Sequence, residues 1–377
     1  MEVSMAIRRV GVLPIQELRG LLAPEWIDGI SADFLNPASI DVPISAQVYR
    51  LTGTFIPGRG RTVEALLRTG EIPNSKFSLD YPLEVGVEYL IKAQASFCLP
   101  SHVYAYANPK SSTGRINLSV GLLADKMSLR DALEAGFQGD VWYLVRADSF
   151  PVKLTAGQAL SQLRFFNHHT VMDAEDMEIA YKKQPFLYVK TGQACVYKEV
   201  AVEQSGSLYF TLDLGEECAG WEALHTNRVL DYAGRAHRPE DFFRPVMVEK
   251  RPGGHRWLPL QKGRFFILST TEWLRVPPQF SVELRSNDER MGHFHTHRAG
   301  YVDPGWGWGE AGERKGQPIT LEVIAHENLE IRTGQPVARF RVERMREVPD
   351  VAYQRGSSNY TDQILARLSK HFLPVAV

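Results

Sequence analysis

Leu154-Thr155-Ala156-Gly157-Gln158, followed by Gln162-Leu163-Arg164-Phe165, recurs as Ile331-Arg332-Thr333-Gly334-Gln335, followed by Arg339-Phe340-Arg341-Val342. The two glycines stand 334 − 157 = 177 positions apart. Upstream, Gly86 in Val85-Gly86-Val87-Glu88-Tyr89-Leu90-Ile91 matches Gly263 in Lys262-Gly263-Arg264-Phe265-Phe266-Ile267-Leu268 at the same offset, as Pro100 matches Pro277. Between these anchors Lys110-Ser111-Ser112-Thr113-Gly114-Arg115 faces Arg285-Ser286-Asn287-Asp288-Glu289-Arg290 at an offset near 175. Gly-Gln turns recur by chance in β proteins, but four ordered anchors at nearly one spacing indicate a duplicated unit. A chain of 377 residues, about twice the common domain size, then divides into copies at 1–200 and 201–377, after the charged stretch 172–183.

Both copies read as β structure. Tyr89-Leu90-Ile91, Val103-Tyr104-Ala105-Tyr106, Val141-Trp142-Tyr143-Leu144-Val145, Phe265-Phe266-Ile267-Leu268, Ile319-Thr320-Leu321-Glu322-Val323 and Phe340-Arg341-Val342 are β-branched or aromatic and bounded by Gly, Pro or Asn. Helical periodicity is confined to 14–22, 63–69, 129–135 and 361–372. The expected fold class is all-β with a few short helices.

Composition narrows the function. Hydrophobic residues at 44% and charged residues at 23% suit an ordinary globular core. With 43 Lys+Arg against 44 Asp+Glu there is no field to gather phosphate backbones or anionic lipid, so neither nucleic acid nor membrane is an expected partner. Cys98, Cys195 and Cys218 lie far apart, which argues against a disulfide framework, a thiolate zinc site and secretion, and for a cytoplasmic location. The apolar run after Arg8-Arg9 is short and soon meets Glu17 and Arg19, so no export signal is expected. Nowhere do 18 apolar residues run together.

Chemistry concentrates in the repeated basic-serine-arginine segments, Lys110, Ser111 and Arg115 in one copy and Arg285, Ser286 and Arg290 in the other. A hydroxyl among cations suits an anionic ligand, because guanidinium forks bind oxyanions bidentately. Taken alone, the pattern also fits a solvated turn. Downstream the copies diverge: Glu322 has an apolar counterpart, Leu144 by eye or Val145 by strict offset. Alternation puts Thr320, Glu322 and Ile324 on one strand face. The carboxylate there is either a solvent-facing residue or a desolvated acid/base group.

At these residues the chain resembles the dCTP deaminase branch of the trimeric dUTPase-like (β-clip) superfamily. Pro109-Lys110-Ser111-Ser112-Thr113-Gly114-Arg115 is similar to the family's G-R-S-S-x-x-R segment, and Ala299-Gly300-Tyr301-Val302-Asp303-Pro304-Gly305-Trp306 with Leu321-Glu322 to its T-A-G-W-I-D segment and following I-T-L-E strand. Both Gly-Gln turns, and Pro37-Ala38-Ser39-Ile40-Asp41-Val42 near the N-terminus, fit as well. Tyr353-Gln354-Arg355-Gly356 and Ala366-Arg367-Leu368-Ser369-Lys370-His371-Phe372 are similar to the tail that closes over the triphosphate, with Gly356 where glutamine is expected. The length fits the double-domain form of the enzyme.

The resemblance implies two tandem distorted β-barrels, zinc-independent hydrolysis of dCTP to dUTP and ammonia, and magnesium carried on the triphosphate. It also implies homo-oligomers with threefold or pseudo-threefold β-domain packing. Glu322 is the expected general acid/base, with Ser286 or Ser111 holding the attacking water and Arg290 or Arg115 beside it. Ala299 is expected to read the base through its backbone and Asp303 to lie near the deoxyribose. Lys110, Ser112, Arg285, Tyr353, Gln354 and Lys370 complete the expected substrate contacts. The chemistry of deamination agrees, since one carboxylate titrating near neutrality can activate water and then protonate the leaving amine. The H-x-E and P-C-x-x-C signature of zinc deaminases is absent from the chain.

The first copy is the better match to the serine segment, yet only the second carries the acid. Two arrangements follow: a composite site, with Ser111 and Arg115 of one half facing Glu322 of the other, or sites built by the second half alone. Ala299-Gly300-Tyr301 also keeps open a bifunctional deaminase/pyrophosphatase or a dUTPase, and a nucleotide-binding regulator remains the non-enzymatic alternative. His293, His295 and His297 alternate as a metal site would, but the chain lacks the acid a cupin needs after H-x-H, so a polar strand face is expected. Trp306 and Trp308 fit base stacking and domain packing equally.

Overall fold

The computed structural model describes residues 10–23, 25–285, 289–296, 300–353, 360–361 and 363–375. In the first half β1 (Ser39–Leu51), β2 (Glu88–Cys98), β3 (Tyr104–Pro109), β4 (Leu118–Ala124), β5 (Gln138–Ala147) and β6 (Ala159–Phe166) pair in the order β4-β5-β2-β1-β6-β3. In the second, β7 (Ser207–Thr211), β8 (Cys218–Ala223), β9 (Phe265–Leu274), β10 (Phe280–Arg285), β11 (Phe294–Thr296), β12 (Gln317–Ala325) and β13 (Pro336–Arg344) pair as β11-β12-β9-β8 and β7-β13-β10. These are the same barrel-like order, with the continuous β1 matched by β7 and β8 together. The expected all-β duplication is therefore the observed architecture.

Backbone geometry repeats with the sequence. Gly86 and Gly263 both take φ 76°, while Gly157 and Gly334 take 89° and 77°. A Cβ disfavours these left-handed turns, which is why glycine anchors them. The amides of Val103 and Phe280 donate to Pro100 and Pro277 carbonyls, each at 2.9 Å. Register also identifies the counterpart of Glu322: Leu90 pairs with Leu144, and 177 positions on, Ile267 pairs with Glu322. Leu144, rather than Val145, holds the equivalent place.

Two short helices fall where periodicity puts them: α1 (Ile15–Leu21) and α2 (Val63–Arg68), the latter capped by Thr62, whose hydroxyl accepts from the Ala65 amide at 3.2 Å. Two expected helices do not form. Within 129–135, Asp131 takes φ 59° and accepts from the Leu122 amide at 2.7 Å, while Leu133 pairs with Ala105, so the segment is a turn and a short strand. Among the described residues of 361–372 there is no helix; the backbone bonds to distant partners instead. Conversely, α3 (Ser111–Gly114) is a single unexpected turn, and α4 (Ala174–Lys183) is a helix inside the charged stretch, capped by Asp173 accepting from the Asp176 amide at 2.9 Å.

Helix α4 turns Met177 and Tyr181 inward, and together with Met172, Phe186 and Val200 they belong to the second core. That core thus begins well before residue 200. The first core, in turn, takes in Tyr232, Phe243, Leu368 and Phe372 from the second half, and Val152-Lys153 pair in parallel with Leu230-Asp231. Ion pairs join the halves as well. Fully buried Arg164 on β6 bonds Glu283 at 2.7 Å and also Glu343, and its repeat counterpart Arg341 reaches the same two carboxylates at 2.6 and 3.4 Å. Tyr106 and Phe166 stand in the first half where Glu283 and Glu343 stand in the second. One half therefore supplies the acids for both arginines.

Candidate active site

Glu322 sits on β12, 2% exposed, and its carboxylate lies against Gly114 of α3, in the room that a Cβ on Gly114 would take. The acid of one half thus meets the serine-arginine segment of the other within one chain. Arg115, 3% exposed, is the next residue. Its guanidinium lies 3.9 Å above the Tyr360 ring, and Nη1 donates to the Arg367 carbonyl at 2.8 Å and Gln363 Oε1 at 3.5 Å. Burial lowers the Arg115 pKa from its ordinary value, while Tyr360 and Glu322 oppose that shift. A buried carboxylate beside a buried guanidinium is an arrangement suited to acid/base chemistry.

The turn of α3 is held from several sides. Tyr232 of the second half places its hydroxyl 2.7 Å from Thr113 Oγ1 and 3.4 Å from Ser112 Oγ. Ser369 of the tail donates to the Ser112 carbonyl at 2.8 Å. Further along the tail, the Arg367 amide donates to Thr320 Oγ1 at 3.3 Å, Gln363 Nε2 donates to the Pro318 carbonyl, and Trp221 Nε1 donates to the Ala366 carbonyl at 3.3 Å. Thr320 and Glu322 share a strand face, so the tail covers the acid's own surface. Ser111 is half-buried at the start of the turn.

A cationic cluster adjoins it. Lys110 pairs with Asp41, which also accepts from Asn36 at 2.9 Å. Burial and the nearby Lys370 lower the Lys110 pKa to about 8, with Asp303 opposing. Desolvation raises Asp303 to about 7 against the pull of Lys110 and Arg164, and its buried Oδ1 has no hydrogen-bond partner among the described residues. Lys110, Asp303 and Lys370, expected from sequence to share a site, are electrostatic neighbours. The Tyr353 ring lies tilted against Trp306, 5.0 Å between centroids, and acts electrostatically on Arg115.

The second serine segment goes elsewhere. Arg290 is exposed and 3.2 Å from Glu203, while Arg285 is 3.3 Å from Glu283 and faces a separate cavity. Ser286, Ala299 and Gln354 lie outside the described residues. Trp306 is 6% exposed against Tyr353, and Trp308 lies under Arg275 at 3.9 Å, so both tryptophans pack within the protein. His293 and His295 are exposed, and no metal-holding group of three or more His, Cys, Asp or Glu occurs among the described residues. Sequence reading misses Gly114, Tyr232, Tyr360 and Gln363 as neighbours of the site, because their partners are distant in the chain.

Comparisons with known proteins agree with the two-part β architecture. Family profiles described as the 2'-deoxycytidine 5'-triphosphate deaminase N-terminal and C-terminal domains match residues 9–169 and 186–372. No curated protein matches the chain. Among solved structures, a 2'-deoxycytidine 5'-triphosphate deaminase from Agrobacterium tumefaciens superposes with a TM-score of 0.78 at 28% identity, over 90% of this chain and 100% of that one. With both halves matched in order and the fold shared over its length, the chain belongs to the 2'-deoxycytidine 5'-triphosphate deaminase family and is a hydrolytic dCTP deaminase.

Proposed function

We propose that dCTP is deaminated at one composite site per chain, with Glu322 of the second half as general acid/base and Ser111 and Arg115 of the first half beside it. The observation that carries this reading is the Glu322 carboxylate buried against Gly114, next to Arg115. Water adds to C4 as Glu322 takes one of its protons and delivers it to ring N3. The second proton then passes to the amino group, the C4–N bond breaks, and ammonia leaves. Arg115 and the Ser111 hydroxyl orient the water and the tetrahedral centre.

Lys110 and Lys370 meet the triphosphate, and Asp303 the deoxyribose, in the same reading. Ser112 and Tyr353 support these contacts, while Ala299 and Gln354 retain their expected roles. Magnesium travels with the triphosphate as part of the substrate; the described residues hold no donor set for a resident ion. In this reading chains associate with threefold or pseudo-threefold packing of β domains. Three free cysteines suit a reducing compartment such as the cytoplasm. Tyr301 is buried beneath Arg164 at 4.6 Å.

The test is incubation with dCTP and Mg²⁺. Ammonia and dUTP are the expected products; dUMP with pyrophosphate marks the bifunctional reading, and binding without turnover the regulator. Glu322→Gln is expected to cut ammonia release by about 10²–10⁴-fold while nucleotide binding survives. Full activity in that variant removes Glu322 from the chemistry.

A further inference from the structure

The halves meet a second time, away from Glu322, around an open cavity of about 650 Å³. Tyr106, Asn108 and Arg130 line it from the first half, and Arg285, His295 and Arg341 from the second. Register places Tyr106 at the position of Glu283, and Asn108 at that of Arg285, so corresponding strands of the two barrels, β3 and β10, supply facing walls.

Charge in this cavity is unbalanced. Of the charged side chains that line it, Arg130, Arg285 and Arg341 stand against Asp131 and Glu283, three guanidinium groups to two acids. Arg285 keeps 48% of its side chain exposed and Arg341 23%. Arg130 is exposed. The acid beside it, Asp131, is occupied by the Leu122 amide at 2.7 Å, and burial raises its pKa to about 6. Tyr106 presents a ring with 39% exposure and Leu129 an apolar side chain with 65%. The volume falls in the range of small-molecule sites, and guanidinium forks beside an aromatic face are the chemistry that holds a phosphorylated aromatic ligand.

We propose that this cavity is a second ligand site, distinct from the catalytic one, that binds a nucleoside polyphosphate with its phosphates on Arg130 and Arg285 and its ring against Tyr106. Occupancy reaches the chemistry through the chain itself. Tyr106 and Asn108 lie on β3, which runs directly into Lys110 and the α3 turn that meets Glu322. A ligand here acts as an effector of dCTP turnover.

The test uses the full-length Glu322→Gln protein saturated with dCTP, so that the catalytic site is filled. Calorimetric titration with ATP and, separately, with inorganic triphosphate is expected to show one additional binding event for each. Arg130→Glu, a surface change, is expected to weaken both at least tenfold and leave dCTP affinity unchanged. Tyr106→Leu is expected to weaken ATP several-fold and spare triphosphate. Absence of an additional event, or binding indifferent to Arg130→Glu, overturns the site; equal loss of both probes in Tyr106→Leu overturns the placement of the ring.

Discussion

Gly114 has no side chain, and the Glu322 carboxylate occupies the room that one would need. Close approach here depends on a missing Cβ, although the backbone itself is ordinary helix. Gly114→Val is therefore expected to push the acid off the substrate and lower kcat by about 100-fold, since displacements near 1 Å cost that much in oriented reactions. Steady-state ammonia release measures the loss, and titration with dCTP checks that binding persists. The matching residue in the first half tells the opposite story. Leu144 is buried among Val63, Leu67, Leu90, Leu123 and Trp142, with α2 packed over it. A carboxylate in that apolar pocket would be desolvated without a partner. The unequal chemistry of the two copies was legible from the strand patterns alone, whereas the identity of the group facing Glu322 was not.

At the scale of elements, the tail after Tyr360 shows how tertiary bonds override periodicity. Its residues 361–372 carry helical spacing, but the Arg367 amide and carbonyl, the Ala366 carbonyl and the Ser369 side chain all bond to other segments. Those bonds are made with the chain laid irregularly over the α3 turn and Thr320. His371 anchors the end of this segment: it lies 4.4 Å from the Tyr232 ring, Nδ1 donates to the Gly234 carbonyl at 3.2 Å, and Nε2 is buried without a hydrogen-bond partner among the described residues. Burial, with Lys370 nearby, lowers its pKa to about 4. Folding therefore favours the neutral ring. The stabilisation is complete above about pH 6.5, the unfolded value, and is lost as pH falls toward 4, on the order of 3 kcal/mol in all. Asp303 acts in the reverse sense: its raised pKa favours the folded state at low pH and loses that contribution as pH rises through about 7. Comparison of wild type with His371→Gln isolates the histidine. Thermal unfolding from pH 7 to 4 is expected to decline more steeply in the wild type; parallel curves count against the buried neutral ring.

For the whole molecule, the decisive contact is between halves. Arg115 and Arg290 occupy equivalent places in the repeat, but Arg115 is buried with the acid and Arg290 is exposed beside Glu203. Arg115→Ala is expected to abolish most ammonia release, at least about 100-fold, and Arg290→Ala to leave it near wild type; equal losses would return the site to the second half alone. The duplication, the β class, the strand carrying Glu322 and the segment carrying Arg115 are all legible in the amino-acid order. Those are local matters, written in turn glycines, strand alternation and repeat spacing. Tertiary structure alone decided that Glu322 faces Gly114, that Leu144 is its counterpart, and that the second arginine segment lies by another cavity. Each depends on how two similar barrels dock, and that docking is decided by contacts distant in sequence: the shared acids around Arg164, the exchanged core residues Tyr232 and Phe372, and the tail laid across both halves.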